Sequence, residues 1–276
     1  MTFPRSPGMR ALVALLVVVV VVYGSWRLLV HRSNVPPALV TPQTNVHAEI
    51  SEDVASRLHR IAEDLPLRDR SKRPRLIALT FDDGPYPIYT PLLLDVLHDL
   101  HVPATFFLIG RDAQQWPEIT KRIEADGEEV ADHTYTHPDL DRESDDAVRS
   151  EILEGRDVLW AFTHDRSVRT LMRPPHGRYT ERTLRVAQGL GYSIVLWTDD
   201  SGDWRSVTTA QIQRHLLAHA TAPEIVLLHS GKLATIEALP LVVAHFERAG
   251  YTFTTVGNLL RRVTPTELNH PLRHPV

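Results

Sequence analysis

The chain has 276 residues, 43% of them apolar and 23% charged, and thirty-four acidic against thirty basic residues give a formal charge of −4. That balance excludes a disordered, fibrous or polytopic membrane protein, and without a basic excess it points away from a nucleic-acid partner. Cysteine is absent, which removes disulfides, thiolate metal sites and a cysteine nucleophile, whereas histidine occurs fifteen times.

Residues 1–33 read as an N-terminal membrane anchor or signal segment. Arg5 and Arg10 precede the uncharged run Ala11–Trp26, which contains six consecutive valines at Val17–Val22. As a helix extended to Val30, the run is roughly 30 Å long, the thickness of a bilayer's hydrocarbon core. Bulky Tyr23 and Trp26 crowd Gly24 and Ser25, so no good small-x-small cleavage site follows. A single-pass transmembrane helix with the domain outside the cytoplasm is therefore preferred to secretion after signal cleavage. Arg27 and Arg32 nearly balance Arg5 and Arg10, and charge says little about orientation.

Residues 34–74 form a linker with a short helix. Pro36, Pro37 and Pro42 mark the extended part, and Val54, Leu58, Ile61 and Leu65 form a helical stripe over Ser51–Leu65. From residue 75 to residue 263 strands and helices alternate. Strands are predicted at Leu76–Phe81, Ala104–Ile109, Glu129–Asp132, Val168–Met172, Ser193–Trp197, Glu224–Leu228 and Thr252–Val256. Helices are predicted at Thr90–Leu100, Trp116–Ala125, Asp145–Phe162, Thr180–Gly189, Thr209–Ala220 and Ala234–Ala249. Such alternation implies parallel strands, closing most naturally into a (β/α) barrel, with a doubly wound open sheet as the alternative. Residues 264–276, with three prolines, read as a C-terminal tail.

Spacing alone selects too many histidines. Three pairs have the i, i+4 spacing that lets two imidazoles share a metal: His133/His137, His215/His219 and His270/His274. The second lies in a helical stretch with no carboxylate in view and the third in the tail, so both read as solvated. His133/His137 follows a strand, and Pro138 keeps the pair out of a helix. Among the paired aspartates, Asp145-Asp146 opens a helix, where carboxylates favour the dipole. Asp82-Asp83 ends a strand before Gly84-Pro85, and its two side chains leave the strand in different directions. An acidic turn and a catalytic pair are about equally good readings of that segment alone.

Five segments occur in order: Thr80-Phe-Asp-Asp-Gly84, His133-Thr-Tyr-Thr-His137, Arg173-Pro-Pro-His-Gly177, Asp200-Ser-Gly-Asp-Trp204 and Ile225-Val-Leu-Leu-His229. They resemble the five motifs of the NodB-homology polysaccharide deacetylases, carbohydrate esterase family 4. Each lies at or beyond the C-terminal end of a predicted strand, where barrel enzymes build their sites. The resemblance implies a distorted barrel of seven or eight parallel strands over residues 75–263. It also implies a divalent metal, usually zinc, held by Asp83, His133 and His137. Asp82 would be the base that activates the attacking water, and His229 would protonate the leaving amine. Arg173 would orient Asp82, Asp203 would pair with His229, and Trp204 would pack beside that histidine and line the cleft. Trp197, in an apolar run, reads as core.

Two departures stand out. His176 replaces the family's usual tyrosine at a position whose backbone N–H serves the oxyanion hole, so it bears on the cleft more than on the reaction. Gly127-Glu-Glu-Val-Ala-Asp132 replaces the usual Gly-His-Glu-Ile-(Gly/Ala)-Asn. The expected activity is removal of acetyl groups from N-acetylated sugars of a cell-wall or extracellular polysaccharide, peptidoglycan or chitin-like. The alternatives are an O-deacetylase of acetyl-xylan or exopolysaccharide and a non-catalytic sugar-binding relative. A glycoside hydrolase would leave His133, His137 and His229 without a role.

Overall fold

The computed structural model describes residues 75–219 and 222–263. The anchor, linker and tail read from the sequence lie outside the described residues; among the described residues no helix is long and apolar enough to cross a membrane.

Eight parallel strands form one sheet: β1 (Arg75–Asp82), β2 (Ala104–Leu108), β3 (Glu129–Asp132), β4 (Leu171–Met172), β5 (Ser193–Ile194), β6 (Asp199–Asp200), β7 (Glu224–His229) and β8 (Tyr251–Phe253). Their order is β5-β4-β3-β2-β1-β7-β6, with β8 paired to the first residues of β1. The path has two ends, so the barrel is distorted and its ladder stays open between β5 and β6. Around it lie α1 (Tyr89–Leu100), α2 (Gly110–Gln115), α3 (Pro117–Ala125), α4 (Asp145–Phe162), α5 (Glu181–Gly189), α6 (Thr209–His219), α7 (Leu233–Arg248) and α8 (Val256–Leu260).

The period-2 alternation of strands decides which side chains reach the site. Ile77, Leu79 and Phe81 of β1 pack outward with Ala104, Phe106, Leu108, Val130, Val226 and Leu228 against the helices. Leu76 and Ala78 belong to a second cluster inside the sheet's curve, with Phe107, Ala131, Leu171, Val195 and Ile225. Continuing the inner parity to the strand ends leads from Ala78 to Thr80 and Asp82, from Ala131 to His133, from Leu171 to Arg173, and from Ile225 to His229. The inner row is apolar below and polar at the top.

The structure corrects several predicted elements. Only Leu171–Met172 of the fourth predicted strand pairs, because Arg166–Arg169 is a 3-10 turn whose start is capped by Asp165 accepting from the Ser167 N–H at 2.8 Å. The fifth stops at Ile194. Beyond it, the Val195 and Leu196 carbonyls accept from the Arg173 guanidinium at 3.1 and 3.3 Å instead of from a neighbouring strand. The last strand ends at Phe253, since Thr255 caps α8 by accepting from the Asn258 N–H. Strand β6 and helices α2 and α8 went unpredicted.

Helix α4 comes against the His133–His137 loop at Gly155, where a Cβ would lie 2.7 Å from Asp132 Oδ1 and 2.9 Å from the Thr134 carbonyl carbon. Gly155→Ala gains up to about 1 kcal/mol of helix propensity. Overpacking against buried backbone costs about 1–3 kcal/mol and is expected to win. The denaturant midpoint of the variant should fall; an unchanged or higher midpoint would show that the loop yields freely.

Candidate active site

The parallel register brings the strand ends together. Asp82 is the ladder partner of His229 across β1 and β7, and Asp132 is the partner of Met172 across β3 and β4, which places His133 beside Arg173. Asp83 has φ +68°, a left-handed kink after β1 that turns its carboxylate toward the same space as that of Asp82.

Arg173 is fully buried and donates to Asp82 Oδ1 at 2.6 Å, to Thr80 Oγ1 at 2.8 Å, and to the carbonyls that end β5. Thr80 passes the contact on by donating to the Val226 carbonyl at 2.7 Å. The guanidinium also lies 4.1 Å from the centroid of the Phe107 ring. A buried cation with this many partners holds one geometry, and among the described residues Asp82 is its one carboxylate partner. Burial pushes the Asp82 carboxyl above its usual range, while Arg173 and then His229 pull it partly back.

His133 is buried, and its Nδ1 lies 2.7 Å from the Arg173 carbonyl oxygen. A carbonyl only accepts, so Nδ1 carries the proton and Nε2 presents its lone pair. Burial lowers the His133 pKa to about 3 and also depresses that of His137, which favours neutral imidazoles, the ligating form. His137 Nε2 is 3.4 Å and His133 Nε2 3.8 Å from Asp83 Oδ1. Two ligands of a tetrahedral ion with bonds of about 2.1 Å lie about 3.4 Å apart. The one group of three or more such donors among the described residues that is spaced to hold an ion is Asp83, His133 and His137. The donor set, two imidazoles and one carboxylate, fits a divalent ion.

On the other side of Asp82, the His229 Nδ1 is 2.7 Å from Asp203 Oδ1. Asp203 is buried and also accepts from the His229 backbone N–H at 2.8 Å and from Thr235 Oγ1 at 2.6 Å. Burial alone would depress the His229 imidazole, but the hydrogen bond and charge of Asp203, with Asp82 and Asp83 behind, raise its pKa above the ordinary value.

His176 is exposed and left-handed at φ +56°, its Nδ1 2.9 Å from Asp139 Oδ1 and its ring edge-on to His137 with centroids 4.8 Å apart. A surface hollow of about 420 Å³ adjoins it, lined by Asp141, Gly177, Arg178, Tyr179, Thr180 and Glu181. Trp204 is 51% exposed; its ring and polar partners are Arg205 at 4.6 Å and Asp200 at 3.4 Å, not His229. Trp197 is half-buried, and its ring lies so close to Gly177 that a Cβ there would be 2.6 Å from it. It supports the His176 loop and is more than core filler.

Sequence reading missed the residues that hold the His133–His137 loop. Glu151 of α4 accepts from the Tyr135 and Thr136 N–H groups at 3.0 and 2.8 Å and from Thr136 Oγ1 at 2.6 Å. Asp132 accepts from the Thr134 N–H at 2.7 Å. Reading His215 as solvated and without a carboxylate needs correction. Its Nε2 is 2.7 Å from Asp199 Oδ1, a partner hidden from sequence because β6 was not recognised.

A profile of the polysaccharide deacetylases matches residues 69–195. A peptidoglycan-N-acetylglucosamine deacetylase of Bacillus cereus is 35% identical over 192 residues, 68% of this chain and 89% of the relative. A chitooligosaccharide deacetylase of Sinorhizobium fredii is 39% identical over 155 residues, 56% of this chain and 72% of the relative. A solved deacetylase–substrate structure aligns with TM-score 0.65 and 30% identity, covering 69% of this chain and 93% of that one. A solved Bacillus anthracis pseudoenzyme of carbohydrate esterase family 4 aligns equally well at 26% identity, covering 68% of this chain and 66% of that one. Five ordered motifs, a parallel half-barrel with all five at its strand ends, and these relatives agree: the chain belongs to the NodB-homology polysaccharide deacetylases, carbohydrate esterase family 4.

Proposed function

We propose that this family member is a metal-dependent N-deacetylase that hydrolyses the acetamido groups of an N-acetylated glycan of the peptidoglycan or chitin type. The observation that carries the reading is the pair of oriented dyads, Asp82–Arg173 and His229–Asp203, beside one Asp-His-His group. A divalent ion held by Asp83, His133 and His137 would supply positive charge to polarise the acetyl carbonyl and the incoming water.

Asp82, with its pKa raised, takes the proton of the attacking water, and Arg173 keeps its carboxylate aimed. The water oxygen bonds to the carbonyl carbon, and charge develops on the carbonyl oxygen, where the His176 backbone N–H is the proposed donor. The C–N bond then breaks as His229 gives its proton to the nitrogen, releasing acetate and a free amine. Trp204 and the hollow beside Gly177 offer surface for further sugar units.

The deciding experiment is acetate release from peptidoglycan, chitin oligosaccharides and acetyl-xylan, with and without a chelator. Chelator-sensitive release from the first two supports the proposal. Release from acetyl-xylan alone makes the protein an O-deacetylase, and binding without release makes it a non-catalytic relative.

The His229 dyad predicts a pH effect. A general acid must be protonated, so activity is present below its pKa and lost as pH rises through it. Asp203 holds that pKa up against burial. Asp203→Asn should therefore move the alkaline limb of kcat/KM to lower pH. An unmoved limb would take His229 out of the acid role.

We also propose that Ala11–Val30 tethers the domain to the outer face of the cell membrane. Fractionation with N-terminal sequencing should find an intact N-terminus in the membrane pellet. A soluble form starting near residues 24–35 would make the segment a cleaved signal.

A further inference from the structure

The loop after β4 that carries His176 lies beside the loop after β3 that carries His137, and its own backbone does little to fix it there. Pro174 and Pro175 have no N–H to give. The Gly177 and Arg178 N–H groups donate within the loop, to the Pro174 and Pro175 carbonyls at 2.9 and 3.0 Å. His176 at φ +56° and Gly177 at φ +68° are both left-handed, and a non-glycine residue stays there only where its surroundings compel it.

Side chains supply the sideways ties, and they form a row. A carboxylate only accepts, so His176 donates from Nδ1 to Asp139 Oδ1, at 2.9 Å. Arg178 donates from Nη2 to Asp141 Oδ2 at 2.7 Å and from Nε to both carboxylate oxygens at 3.2 Å. Farther along, Arg182 Nε of α5 is 2.8 Å from Asp145 Oδ1 of α4. The acids all stand on the segment after β3 and the bases on the segment after β4, and the first two pairs share one offset of 37 positions. Their neighbours point inward: Leu140 and Pro175 are buried, and Gly177 rests on the Trp197 ring. Asp139 thus reaches from two residues beyond the proposed ligand His137 to the residue whose N–H is the proposed oxyanion donor. The rings of His137 and His176 meet edge-on between them, with centroids 4.8 Å apart.

His176 and Arg178 are 57% and 42% exposed, and ties this open to water add little to stability. Their consequence is geometric, because a misplacement of about 1 Å can cost about 10²-fold in rate. We infer that Asp139 and Asp141 are positioning residues: paired with His176 and Arg178, they clasp the loop after β4 to the metal-ligand loop and fix the oxyanion donor relative to the metal. The inference rests on the reaction proposed above.

The test is the double variant Asp139→Ala/Asp141→Ala, assayed on whichever of peptidoglycan, chitin oligosaccharides or acetyl-xylan the wild type hydrolyses. Its kcat should fall by up to about 10²-fold with KM little changed, the mark of contacts that matter in the transition state. Competitive zinc titration and the melting temperature should both give wild-type values, which separates positioning from loss of the metal or of the fold. Asp139→Asn/Asp141→Asn keeps an oxygen to accept from each partner and should restore most of the rate. Wild-type kcat in the alanine variant, a rise in KM alone, or a loss of rate that follows zinc affinity or melting overturns the inference. So does an asparagine variant as slow as the alanine one. A wild type that releases no acetate overturns the proposed reaction, and this inference with it.

Discussion

Asp82→Asn should keep its metal and lose about 10²–10⁴ in turnover, the usual consequence of removing a general acid or base. The substitution is nearly isosteric, and its amide oxygen can still accept from Arg173. What disappears is the basic carboxylate. Losing the negative charge beside a buried guanidinium has a folding cost, since a buried cation without its counter-ion is unfavourable by about 3–5 kcal/mol. Arg173 retains Thr80 Oγ1, the Val195 and Leu196 carbonyls and the Phe107 ring, which should soften that cost. Melting temperature and metal content must therefore be read together with acetate release. A folded variant that has also lost its metal would make Asp82 a ligand and reverse the proposed division between the two aspartates. A folded, metal-loaded variant with wild-type turnover would remove Asp82 from the chemistry.

The double variant His133→Ala/His137→Ala should lose stoichiometric metal, and with it all acetate release above background. It leaves Asp83 as the sole member of the donor group, and one carboxylate does not hold zinc against water at neutral pH. Single variants should separate the two histidines. His133 is buried and donates to the Arg173 carbonyl, so His133→Ala also strands a buried acceptor and should lower the melting temperature. His137 is more exposed, so His137→Ala should weaken metal binding with less effect on melting. Metal analysis of the purified proteins checks both. Undiminished metal in the double variant would mean that the ion lies elsewhere.

Much of the fold could be read from residue patterns because apolar runs announce themselves. Strands β1, β2, β3 and β7 lie within about a residue of their predicted limits, and β1, β2 and β7 are mainly apolar runs buried on both faces. Strand β6 could not be read this way: Asp199-Asp200 has no strand-like side chains and pairs only because β7 offers its edge. Helix α2, Gly110–Gln115, is polar and starts with glycine, so it has no apolar stripe to find. Missing β6 also hid the Asp199–His215 pair.

The resemblance to the five family motifs pointed to Asp82, Asp83, His133, His137, Arg173, Asp203 and His229, each in a motif that ends a strand-like run or follows one. The motifs could not say which of these touch. Asp82 and Arg173 are 91 positions apart, and their 2.6 Å bond exists because parallel register aligns the C-terminal ends of β1 and β4 through β2 and β3. Nor could linear pattern reveal the orientations. The left-handed turns at Asp83, Thr134, His137 and His176 aim side chains off the strand direction, and non-glycine residues stay there only where surrounding contacts compel it. Those contacts, Glu151 under the histidine loop and Asp139 beside His176, come from segments that are brought near only when the chain is folded. Local composition specifies the strands and the ligand types; long-range packing alone sets the angles at which they meet.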